Sequence, residues 1–443
     1  MARVTTSYVC GACGAHSPGP LGRCPRCGAW GTVTAAAPEA APRGPAAAAP
    51  ATAMRLGDVT DLGVARLPSG LDEVDRVLGG GWVAGAAVLL AGEPGIGKST
   101  LLLQLADAAA RAGRRAVVVC GEESPGQVKL RAVRLGVADA VEVLRSTDAY
   151  AIADFLATEA PALAIIDSIQ TLTVEDGAAP GSLTQVRDAT ALLSQAAKSS
   201  GSTLVLIGHV TKQGAIAGPK VVEHIVDATL ALESAAGFRV LRGIKNRFGP
   251  AGEVGVFEMT DAGLRPVANP SDAFLAERPV GVPGSVVVAA LEGQRPLLVE
   301  VQALASASPF ATPRRVVQGL DPRRVDLLLA VLERRADLPL AGLDVFVNVA
   351  GGLRLTDTGA DLAVATAVAS AVTNRPLAAG TAVFGEVGLA GELRSVAQGV
   401  RRTAEAVRAG HRHVVGPRGG GDAPTWRAVG DLAAAFAALW GRP

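Results

Sequence analysis

Residues Gly92-Glu93-Pro94-Gly95-Ile96-Gly97-Lys98-Ser99-Thr100 constrain this chain more than any other stretch, because they form a complete phosphate-binding loop between an apolar run and a helical one. WVAGAAVLLA before the loop reads as a buried strand, and LLLQLADAAARAG after it carries apolar residues at helical spacing. In that order, Gly92, Gly95 and Gly97 let the backbone curl so that its N–H groups face a β-phosphate with no Cβ in the way. Lys98 then reaches the β- and γ-phosphates, Ser99 supplies a hydroxyl to Mg²⁺, and the helix N-terminus favours the anion. ATP and Mg²⁺ are the expected ligands.

Later apolar runs end in residues suited to the same chemistry. AVVVCGEES, LAIIDSIQT, STLVLIGHV and ATLALES alternate with helical or loop segments, which predicts an α/β fold with an open, mainly parallel sheet covered by helices on both faces. Asp167, at the carboxyl end of LAIID, is placed to hold Mg²⁺ through water beside Ser99. Glu122 and Glu123 close AVVVCG, where one of them can orient the attacking water from a strand expected next to the P-loop strand. His209 ends STLVLIG and reads as a γ-phosphate sensor or a hydrogen-bonded strand-end residue. Two loops, 174–188 and 211–220, follow strands at the nucleotide edge of the sheet, the edge at which such sheets bind ligands. Arg187, Lys212 and Lys220 are the candidate contacts to the phosphates of a single nucleic-acid strand.

Whole-chain properties set the limits. The 443 residues suffice for two or three domains, and 42 basic against 41 acidic residues leave a net charge of +1, so nucleic-acid binding has to come from local loops or from a ring of subunits. No stretch of about 18 uncharged apolar residues suggests a membrane span, and MARVTTSYVCGACG lacks the apolar core of a secretory signal. A cytoplasmic protein with no membrane partner is expected.

Four of the five cysteines form Cys10-x₂-Cys13 and Cys24-x₂-Cys27, the spacing of a Cys₄ zinc ribbon over 1–34. Residues 35–54 are nearly all Ala and Pro and read as a tether. An ATPase domain is expected over 55–270 and a third domain over 271–443.

The GEES strand end, GHVTKQGAIAGP and above all Lys245-Asn246-Arg247-Phe248-Gly249 resemble the RadA/Sms family of bacterial RecA-like DNA repair and recombination ATPases. The resemblance implies a hexameric ring that binds single-stranded DNA, hydrolyses ATP and drives branch migration of recombination intermediates, with a RecA recombinase or a replicative helicase as protein partner. It also implies that Lys245 and Arg247 reach the γ-phosphate held by a neighbouring subunit; a basic turn in a hairpin is the plainer alternative.

From about Gly281 the chain resembles the proteolytic domain of Lon, whose chemistry needs a Ser nucleophile and a Lys base. The alignment puts Gly359 at the nucleophile and Arg401 at the lysine, and no lysine follows Lys245. An inactive α+β Lon-like domain is therefore expected. The competing readings are an ATP-dependent Lon-type protease, a DNA-bound scaffold that uses ATP only as a switch, and a KaiC-like ATPase; the last would not account for the zinc ribbon.

Overall fold

The computed structural model describes residues 8–10, 15–17, 19, 21–35, 55, 66–174, 179–209, 220–235 and 237–441. The chain divides into two compact units, Met1–Leu62 and Gly63–Pro443. In the first, Tyr8–Cys10 lies between His16–Ser17 and Val33–Ala35 in a small antiparallel sheet.

Among the described residues, the second unit is built on two large sheets and also has two two-stranded ones. The larger has nine strands, and its parallel part runs in the order Ala228–Ala235, Ala87–Gly92, Thr203–His209, Leu163–Asp167, Ala116–Cys120, Glu142–Arg145. An antiparallel meander, Phe238–Asn246, Val254–Thr260 and Gly263–Pro266, extends the other side. Successive side chains of a strand point to opposite faces. Val88, Leu90, Ile165, Val205 and Ile207 accordingly join one core with Leu101, Leu105 and Ala109 of helix Lys98–Arg111. Ala87, Leu89, Ile166, Leu204 and Leu206 join another with helices Ala149–Glu159 and Leu183–Ser200. Apolar runs without alternating polar residues are what a sheet covered on both faces requires.

This order corrects one expectation. The strand Ala116–Cys120 is not next to the P-loop strand; Thr203–His209 and Leu163–Asp167 lie between them. Proximity in sequence was no guide, because each crossover helix lets the chain place its next strand at a distance.

The second sheet has seven strands in the order Arg315–Gln318, Leu343–Val349, Arg295–Ala307, Ser285–Glu292, Thr381–Val383, His413–Gly416, Trp426–Ala428. The expected 270/271 boundary falls at the first residue of helix Pro270–Leu275, whose Ser271 hydroxyl accepts from Leu298 N and donates to Glu405. Buried charge joins the two sheets: Arg295 Nη1 donates to Glu73 Oε2 (2.5 Å) and Val254 O (3.0 Å), and Val256 N donates to the same carboxylate oxygen (2.8 Å). An ion pair removed from water is stable when hydrogen bonds satisfy its remaining atoms in this way.

Candidate active site

The P-loop strand ends at Gly92, where the chain has no room for a side chain: a Cβ there would lie 2.7 Å from Leu232 O, and one on Gly97 2.7 Å from the Met259 methyl. Gly95 and Gly97 have φ of 77° and 114°, the left-handed region that glycine adopts without strain. Lys98 opens the following helix with its side chain curled back, Nζ donating to Gly92 O (2.8 Å) and Glu93 O (2.9 Å). It is almost fully buried. Burial lowers its pKa, while the charges of Asp167 and Glu122 act the other way.

Asp167 faces this loop from the end of its strand. Burial raises its pKa, a hydrogen bond with Ser99 opposes that shift, and the Glu122 and Glu123 charges raise it further. A carboxylate made costly by burial and by like charges, and already joined to the P-loop hydroxyl, is suited to a divalent cation.

The glutamates reach the site because the chain turns immediately after Cys120. Gly121 N donates to Asp167 O (2.9 Å), and a Cβ on Gly121 would collide with the Thr171 hydroxyl at 2.0 Å. Ser124 then caps helix Pro125–Leu135 in a reciprocal box with Gln127. Glu122 accepts a hydrogen bond from Ser168 Oγ, and Glu123 Oε1 pairs with Arg131 Nη2 at 2.5 Å. Pro94, Gly95, Gly97, Lys98, Ser99, Thr100, Glu122, Glu123 and Asp167 line one cleft of about 400 Å³ together with Arg131 and Arg134. Both arginines escaped the sequence reading. The only signal was their spacing on a helix that starts just after the glutamates.

The other expected residues are distributed differently. His209 pairs in register with Gly92, which puts its backbone beside the root of the P-loop. Arg187 is not on a loop: Val186, Ala189, Leu193 and Ala197 carry a buried stripe, so helix Leu183–Ser200 begins before it, and its guanidinium is exposed and paired with Asp188 at 2.8 Å. Lys220 likewise begins a helix, Lys220–Ile225, rather than ending a loop. Lys212 lies outside the described residues.

Lys245 and Arg247 lie at the opposite edge of the sheet. Lys245 pairs with Thr229, which pairs with Leu89, three positions before Gly92, so it lies about 10 Å back along the strands and two strands across from the loop. Its Nζ donates to Glu223 O (2.5 Å) and Val226 O (2.8 Å), carbonyls at the end of a helix where the backbone dipole favours a cation. Arg247 Nη1 pairs with Asp227 Oδ1 at 3.1 Å.

In the N-terminal unit, the sulfurs of Cys10, Cys24 and Cys27 lie within 4.8 Å of one another, and Cys10 and Cys27 are 3.7 Å apart. Cys13 lies outside the described residues. Hydrogen bonds from the backbone N–H groups of Cys27 and then Arg26 lower the Cys24 pKa. Convergent thiols held toward the thiolate form fit a soft tetrahedral metal.

A model of an AAA domain matches residues 51–215, and one of a rubredoxin metal-binding domain matches 8–35. The DNA repair protein RadA of Pseudomonas aeruginosa is 47% identical over 95% of this chain and 94% of its own length. This chain belongs to the RadA family. The Escherichia coli RadA is 46% identical over 93% of this chain and 92% of that protein, and the Mycobacterium tuberculosis RadA is 46% identical over 93% and 87%. Among solved structures, a KaiC-like protein of Pyrococcus horikoshii aligns with a TM-score of 0.40 at 20% identity, covering 46% of this chain and 99% of that one. Among the described residues of this RadA-family chain, no helix is long and apolar enough to cross a membrane.

The site aligned with the Lon dyad departs from expectation by one residue. Arg401 is exposed and bonds Gln398. The cation beside Gly359 is Arg402, fully buried, with Nη1 on Asp357 Oδ2 (2.5 Å) and Ala289 O (2.8 Å), Nη2 on Asp357 Oδ1 (3.0 Å) and Nε on Ala397 O (2.8 Å). One position on a helix is a rotation of about 100°, so Arg401 and Arg402 face different surroundings. A Cβ on Gly359 would lie 2.7 Å from Arg402 Nη1 and 2.9 Å from Asp357 Oδ2.

Proposed function

We propose that this chain is an ATP-hydrolysing DNA motor of repair and recombination, acting as a ring, likened by its family to proteins named for DNA repair. The backbone of Gly92–Thr100 would hold the triphosphate, with Lys98 moving from the loop carbonyls to the β- and γ-phosphates. Ser99 and Asp167 would hold Mg²⁺, which supplies charge neutralisation across the phosphates. Glu122 or Glu123 orients the attacking water. Cys10, Cys13, Cys24 and Cys27 would hold a structural Zn²⁺, which folds a tethered module rather than catalysing.

The observation that carries this reading is the position of Lys245 and Arg247. Lys245 lies about 10 Å back along the strands and two strands across from its own loop, and it and Arg247 are held there by Glu223 O, Val226 O and Asp227, a position away from the phosphate of their own subunit that suits a role at a neighbour's site. Cations supplied across an interface stabilise phosphoryl transfer and tie hydrolysis to subunit movement. Single-stranded DNA at the strand-end loops, a hexameric ring and branch migration complete the proposal, with a recombinase or replicative helicase as partner.

The packing around Gly359 argues against the protease alternative: the site has neither nucleophile nor base, and Arg stays protonated.

Subunit mixing tests the motor. Lys245→Ala should lower DNA-stimulated hydrolysis by about 10³-fold while leaving ATP binding intact. Mixing it with Lys98→Ala, itself inactive, should restore part of the activity, because some interfaces then combine an intact P-loop with an intact donor. Mixtures no better than the parts would remove the trans arrangement. Full strand-exchange activity with both glutamates neutralised would favour the ATP-switched scaffold.

A further inference from the structure

Adjacent residues leaving a strand point in different directions, so Glu122 and Glu123 are not interchangeable. The structure separates them by partner. Glu122 accepts from Ser168, the residue after Asp167, and its charge is one of the two that favour the protonated form of Lys98. Glu123 is paired instead with Arg131, whose Nη2 lies 2.5 Å from Oε1, and its Oε2 is buried without a hydrogen-bond partner. Arg131 is itself about three-quarters buried and also lines the small space beneath Ser99, Cys120 and Asp167.

Three carboxylates, Asp167, Glu122 and Glu123, thus share a cleft that is to receive a polyanion. One metal ion and Lys98 can balance some of this charge. An unpaired Glu123 would add repulsion against both the γ-phosphate and its neighbouring glutamate. A guanidinium suits the remaining task, since it stays charged and its planar fork fixes a carboxylate in direction as well as in charge.

We infer that Glu122 is the carboxylate that orients the attacking water, and that Arg131 is a positioning residue which pins and neutralises Glu123, keeping it away from the reacting phosphate. This rests on the ATPase reading above and adds a division of labour to it. The Arg131 charge also opposes the upward shift of the Asp167 pKa, and the part of its effect that runs through Glu123 is the part that depends on whether Glu123 is charged.

The test is a set of full-length variants assayed for steady-state ATP hydrolysis, with affinity for a fluorescent ATP analogue measured alongside. Glu122→Gln should reduce kcat by about 100-fold or more with analogue affinity retained. Arg131→Gln should reduce kcat by about tenfold with KM little changed, and Arg131→Lys should recover part of the loss. The decisive variant is Arg131→Gln combined with Glu123→Gln, which should be more active than Arg131→Gln alone because the stranded carboxylate is gone. Additive losses in the double variant, or an inactive Glu123→Gln beside an active Glu122→Gln, would overturn the inference. Wild-type protein that hydrolyses no ATP would instead defeat the ATPase reading itself.

Discussion

Two arginine–carboxylate pairs, Arg131–Glu123 and Arg402–Asp357, are both 2.5 Å long, yet their surroundings assign them opposite roles. The first stands in the wall of a cleft of about 400 Å³ beside a glycine loop, with one carboxylate oxygen still unpartnered. The second fills its own pocket: Arg402 has no exposed side-chain surface, three backbone or carboxylate partners hold it, and the space where a nucleophile would project is taken by its guanidinium. A buried ion pair therefore points to chemistry only where room for a reactant remains beside it. Where the pair occupies the room, it has become part of the core.

The largest expected effect is on the open side. Lys98→Ala removes the cation that the loop curls around, and ATP hydrolysis should fall by about 10³-fold or to background. The check is phosphate release with and without single-stranded DNA. Retained turnover would mean that the cleft is not where the reaction occurs.

The filled side should respond in stability instead. Arg402→Ala removes a fully buried side chain and leaves the partly buried Asp357 with only the Leu291 and Gly359 N–H groups as donors, a change expected to cost about 3 kcal/mol, read as a lower denaturant midpoint. Gly359→Ser should also destabilise, since its Cβ meets Arg402 and Asp357 below van der Waals distance, and it should create no peptidase activity against casein. If the serine variant digested casein, the pocket would be a site after all, and the comparison would fail.

How much of this was legible in the residues follows the same division. The P-loop and the paired cysteines stand out because their chemistry needs short spacings along the chain, and Asp167 because it ends an uninterrupted apolar run. The spatial order of strands could not be read, because a crossover helix sets no fixed neighbour, and so the strand that leads to Glu122 and Glu123 was expected beside the P-loop strand, while the glutamates themselves keep a place at the cleft. Arg131 lies eight positions beyond Glu123, on a helix whose capping at Ser124 sets its start. Nothing in composition distinguishes it from Arg134. Arg401 and Arg402 differ by one position, which an alignment across a substituted dyad cannot resolve but a helical turn separates completely.

The cysteine cluster, proposed above to hold a structural Zn²⁺, is an intermediate case. A strong chelator should release zinc and abolish the fold of the N-terminal unit, because so small a sheet has little apolar core without metal. Basal ATP hydrolysis should persist. Metal release can be followed with a colorimetric dye during the hydrolysis assay, and a parallel loss of turnover would show that the module supports the cleft directly.

The smallest effect concerns His411, a buried imidazole in the filled half whose Nδ1 has no hydrogen-bond partner. Burial lowers its pKa first, and the nearby Arg278 charge adds to the shift, against weaker opposition from backbone carbonyls at Ala406 and Ala409 and from Asp272. A folded-state pKa below the unfolded value of about 6.5 means that the unfolded chain binds the proton more readily. The neutral ring's contribution to stability is therefore complete above that value and is lost as pH falls below it toward the folded pKa. His411→Phe should flatten the change in denaturant midpoint between about pH 7 and pH 5. The pH profile of ATP hydrolysis at saturating nucleotide should be the same in both proteins, because in this half of the molecule a perturbed group adjusts the core and has no reactant to act upon.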